Sequence, residues 1–128
     1  MKFKKLKPEE LKPGKIKEDV LAKPVFMPEQ IKIDTVKYTA KEYEYILSGN
    51  RSVMGQINYE KSEIQISEKI SAENKKLVLM HEITHGITVE RDVKDIIPEE
   101  HYEKVVDEIA KGFLQLIRDN PALINYIQ

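Results

Sequence analysis

Two histidines stand four residues apart in His81-Glu82-Ile83-Thr84-His85, with an acid directly after the first. On a helix, positions i and i+4 share a face, so both imidazoles can reach one tetrahedral metal ion, and zinc suits such donors. Glu82 then points to the side of the pair, where it can take a proton from a water that zinc has acidified toward a pKa of ~7. Ordinary core histidines would require no acid at that fixed position. The chain has three histidines and no cysteine, so thiolate ligation and disulfides are excluded and any metal site is built from His and carboxylates.

Two histidines under-coordinate a protein-bound zinc, so a third ligand must come from another element. The stretch Pro98 to Arg118 reads as a helix and offers His101, Glu103, Asp107 and Glu108. Turned at about 100° per residue, its apolar stripe comprises Tyr102, Val106, Ile109, Ala110, Phe113 and Ile117. Glu103 falls at the edge of that stripe, whereas His101 and Glu108 point away. Asp107 lies one turn beyond Glu103, placed to accept a hydrogen bond from a ligand histidine. An acid turned toward a core needs a partner. Glu103 leads on this argument, with Asp107 and Glu99 as alternatives.

The elements that must hold these residues read as α+β. Gln30 to Tyr38 has a strand pattern, Lys41 to Leu47 reads as a short helix closed by Ser48-Gly49-Asn50, and Val53–Tyr59 with Glu63–Ser67 reads as an antiparallel hairpin. Ser71 is an N-cap candidate for a helix over Ala72 to Ile87. That helix is apolar nearly all round: Leu79, Met80, Ile83 and Ile87 lie on one side, the two histidines on the other, and Leu77 and Val78 flank them. It should therefore be sandwiched between two layers. A short helix, Ala122 to Ile127, closes the chain after Asp119-Asn120-Pro121.

With 128 residues, 41% of them hydrophobic, the chain can bury one modest core, expected over residues 29–128. Residues 1–28 carry four prolines among lysines and read as a basic, extended arm. Up to residue 24 that arm holds eight lysines against four acids, which leaves an acidic body behind it, although the whole chain is only −1. Such a balance gives no field that argues for nucleic acid. Pro8-Glu9-Glu10 interrupts the basic start where an export signal needs an apolar run, and no apolar stretch approaches the ~18 to 20 residues of a membrane span. A cytoplasmic setting is the expectation, with no membrane partner.

The sequence resembles the zincin metallopeptidases that use Glu as third ligand, and within them the small ImmA/IrrE-type proteins of bacteria and their phages. The resemblance spans about residues 53 to 120. It is carried by Gly55-Gln56-Ile57-Asn58-Tyr59, Ile64-Gln65-Ile66, the block Leu77 to Ile87, the run Glu103-x-x-Val106-Asp107-x-Ile109-Ala110 and the closing Asp119-Asn120-Pro121. The run from Glu103 is similar to a family segment whose first Glu is the third zinc ligand, which implies that role for Glu103; Val106 stands where the family has a small Ala. The resemblance implies a small, mostly antiparallel sheet packed on the helix of the zinc motif, a second long helix behind it, and one zinc per chain held by His81, His85 and Glu103. It implies hydrolysis of a protein or peptide with Glu82 as general base. The rival expectation is a catalytically silent zinc-containing module that acts through partner recognition.

Overall fold

A computed structural model describes residues 25–128. The expected arm falls outside the described residues except for Val25–Pro28, which have no regular structure and place Met27 against the core. The chain then forms β1 (Gln30–Ile33), β2 (Val36–Tyr43), β3 (Leu47–Ser48), β4 (Arg51–Ser52), β5 (Gly55–Asn58) and β6 (Glu63–Ser67), followed by α1 (Ala72–Glu90), α2 (Glu99–Asp119) and α3 (Pro121–Ile127). The class is α+β, as expected.

Two expectations need correcting. Gln30 to Tyr38 is not one strand, because Asp34 turns the chain with φ 55° and β1 folds back antiparallel on β2, pairing Ile33 with Val36. Asp tolerates this left-handed backbone better than most residues. Lys41 to Leu47 is not a helix, because β2 continues to Tyr43 and pairs in parallel with β6, from Thr39 opposite Glu63 to Tyr43 opposite Ser67. Pairing with a neighbouring strand overrides the weak local preference for helix. The turn chemistry at Ser48-Gly49-Asn50 serves the small β3–β4 hairpin, with Gly49 at φ 62°.

The main sheet has the order β1-β2-β6-β5. Its outer pairings are antiparallel and its central one is parallel, so it is mixed, and among the described residues β5 is an edge strand bonded to β6 alone. The expected hairpin is present as β5 and β6, with Gly55 opposite Ile66 and Asn58 opposite Glu63. Ile33, Tyr38, Ala40, Ile64 and Ile66 form the buried core on the face covered by α1, where Val78, Leu79 and Ile83 pack down.

Ser71 caps α1, its hydroxyl accepting from the Asn74 amide at 3.1 Å. The opposite side of α1 meets α2, whose Tyr102, Val106 and Ala110 are buried. The sandwich expected from an all-round apolar helix is thus the observed arrangement. Ile109, Phe113 and Ile117 of the same stripe stay more than 40% exposed, although Arg118 near the end of α2 still pairs with Glu73 at the start of α1.

Close approach of the edge strand to α1 depends on Gly55. A Cβ there would sit 2.4 Å from Val78 Cγ1 and 3.0 Å from the Gln65 carbonyl oxygen. Glycine is the residue that lets β5 lie against the turn of helix that carries Glu82.

Candidate metal centre

Helix α1 presents His81 and His85 on one face and α2 runs alongside. Glu103, in the second turn of α2, reaches back between the two rings. Its Oε2 lies 3.3 Å from His81 Nε2, its Oε1 lies 3.0 Å from His85 Nε2, and the two Nε2 atoms are 3.2 Å apart. One donor atom from each of the three residues falls within 4.8 Å of the others. Two imidazole nitrogens and a carboxylate on so small a triangle are a donor set that fits zinc.

Of the other candidates on α2, Asp107 places Oδ1 3.4 Å from His81 Nδ1, on the far side of that ring, while its other oxygen takes the Lys111 ammonium at 2.8 Å. Lys111 and, after it, His81 hold the Asp107 carboxyl below its usual range. It is thus an acceptor behind His81 rather than a fourth donor. Glu108 faces outward to Lys104 and Lys111, and His101 is exposed beside Glu100. Glu99 lines the cleft described below but is not among the three clustered donors.

Glu82 is 6% exposed and sits against the edge strand, its Cγ near the α-carbon of Gly55. Burial, and after it the negative charge of Glu103, pushes its carboxyl up to about 7. His85 moves the other way. Burial lowers its pKa, helped by the charges of His81 and Lys94 and opposed by Glu103.

A raised carboxyl pKa ties stability to pH. In metal-free protein the folded state keeps a proton on Glu82 that the unfolded chain releases near its ordinary 4.5. The stability this adds is complete below about 4.5 and is lost as pH rises through about 7. Urea midpoints measured across that window in chelator should therefore fall less for Glu82→Gln than for the parent. Parallel profiles would show that Glu82 is not titrating in a buried site.

These residues line the floor of an open cleft of about 930 Å3. One wall is β5, through Gly55, Gln56 and Ile57. The other is the 3₁₀ turn Lys94–Ile96 and the start of α2. Two residues that touch the histidine pair were not singled out for that role by sequence. Tyr102 places its hydroxyl 3.0 Å from His85 Nδ1, and Thr88 places its own 2.5 Å from that of Tyr102. Tyr102 belongs to the apolar stripe of α2, and Thr88 follows His85 by three residues and His81 by seven on α1, but only the packed structure gives the ring direction.

No family model, curated protein or solved structure matches the chain.

Proposed function

We propose that the chain is a zinc-dependent endopeptidase of the zincin type that hydrolyses a protein or peptide substrate. The observation that carries this reading is the convergence of His81, His85 and Glu103 at the floor of a cleft, with the buried acid Glu82 beside them. His81, His85 and Glu103 would hold the zinc. Bound there, zinc supplies a Lewis acid that acidifies water and polarises a carbonyl.

The remaining chemistry belongs to the protein. Glu82, whose carboxyl is poised at about 7 without metal, is suited both to take a proton from water and to return it to the leaving amine. The edge of β5, unpaired among the described residues, offers backbone donors and acceptors to an extended peptide, which would lie as a further strand along the cleft wall. Three clustered donors among the described residues leave a tetrahedral ion one position for solvent or substrate. A silent structural site would more often close with a fourth protein ligand and would have no need of Glu82.

Elemental analysis after gel filtration should find about one zinc per chain, and hydrolysis of a fluorescently labelled unstructured protein should stop in chelator and return with zinc. Zinc near zero that is not restored by adding the ion would refute the metal reading. One zinc per chain without any hydrolysis would favour the silent module.

A further inference from the structure

The hydroxyls behind His85 form a closed path whose proton directions can be worked out. Thr88 Oγ1 lies 2.7 Å from the His85 carbonyl oxygen, which can only accept, so the single hydroxyl proton of Thr88 is committed there. Tyr102 Oη lies 2.5 Å from Thr88 Oγ1, and with the Thr88 proton already used, Tyr102 must be the donor in that bond. The Tyr102 hydroxyl then has no proton left for His85 Nδ1 at 3.0 Å, and can only accept from it. Nδ1 must therefore carry a proton.

We infer that Thr88 and Tyr102 are positioning residues that hold His85 with a proton on Nδ1, which leaves Nε2, the atom facing Glu103 and His81, as the ring's ligand atom. The inference rests on the zinc reading above for its purpose, but the proton on Nδ1 follows from the hydrogen bonds alone. Thr88 and Tyr102 are 6% and 9% exposed, so water competes little for these hydroxyls, and no described buried side-chain polar atom lacks a partner.

The two histidines are thereby oriented by different chemistry. His81 has a carboxylate behind it, that of Asp107, whereas His85 has a neutral phenol. A neutral acceptor fixes the ring without adding charge at the buried end of the site, beside Glu82. The geometry also links the helix that carries the two histidines to the one that carries Glu103, since Thr88 lies on α1 and Tyr102 on α2 one residue before Glu103. The contact that turns His85 and the residue that supplies the carboxylate therefore share a single turn.

The test is NMR of protein labelled with 15N at histidine, combined with zinc competition titration. In metal-free parent, His85 Nδ1 should carry an exchange-protected proton whatever the state of Nε2, which Glu103 and His81 can also engage. Tyr102→Phe should lose that protection and bind zinc about 10–100-fold more weakly, the loss typical for removing a partner hydrogen-bonded to a ligand histidine. Thr88→Val should behave similarly, and Thr88→Ser, which keeps the hydroxyl, should restore the parent values. An unprotonated Nδ1 in the parent overturns the proposal, as does a Tyr102→Phe variant with unchanged proton protection or unchanged zinc affinity. Should the parent bind no zinc, the metal reading fails, and the comparison of metal-free spectra alone then decides whether these hydroxyls orient His85.

Discussion

Glu82→Gln is expected to bind zinc as the parent does and to lose hydrolysis by about 10²–10⁴-fold, the usual contribution of a positioned general base. The amide fills the same buried space against Gly55 but cannot take a proton from water. Metal content should not change, because Glu82 is not one of the three clustered donors. The variant should also fold. In metal-free protein at neutral pH the parent carries a carboxyl that burial disfavours in its charged form, a cost the neutral amide lacks. Turnover of a labelled substrate, normalised to bound zinc, is the measurement. A Gln variant that cleaves at the parent rate would remove Glu82 from the mechanism.

The second large effect concerns Glu103. Glu103→Ala removes the carboxylate within 3.3 Å of both Nε2 atoms and should weaken zinc binding by more than the about 10–100-fold expected for losing Tyr102. Its side chain is 71% exposed, so the metal-free variant should unfold at nearly the parent's temperature, and the affinity loss is then not a folding defect. Glu108→Ala provides the control on the same helix. Among the described residues its carboxylate meets Lys104 and Lys111 on the surface, so zinc affinity should be unchanged and stability should stay within about ±0.5 kcal/mol. Equal zinc affinities for Glu103→Ala and the parent would show that the metal, if bound, is held by another set of donors.

The way these residues come together was partly legible in the sequence, and the reasons differ by residue. His81, Glu82 and His85 lie within two turns of one helix, so local spacing alone places them, and the helix is long and well bounded by Ser71. Glu103 required a second inference. The stripe through Tyr102, Val106 and Ala110 sets the phase of α2, and that phase turns Glu103 toward α1. Asp107 followed from the same phase, one turn on.

The sheet was harder to read because its register depends on partners distant in the chain. Nothing local to Lys41–Tyr43 announces a parallel neighbour more than twenty residues later, so the polar, tyrosine-bearing stretch looks helical in isolation. Asp34 hides a reversal inside what reads as one β-branched run. The hydroxyl of Tyr102 could equally have faced a substrate, and periodicity cannot choose between ring orientations that only neighbouring side chains decide.

Gly55 has a bearing on the width of the cleft. The gap between the strand and the turn of α1 that carries Glu82 is set by a backbone α-carbon lying against a valine methyl, not by side chains that swing or shorten. That spacing behaves as a mechanical stop whose position belongs to the core, not to the surface. Residues around the rim can be exchanged to alter the shape of the opening, while the distance between β5 and the helix turn that carries Glu82 stays constant. Redesign of this cleft would therefore find its rim easy to alter and its depth difficult to alter, since changing the latter means repacking the sheet on its helix.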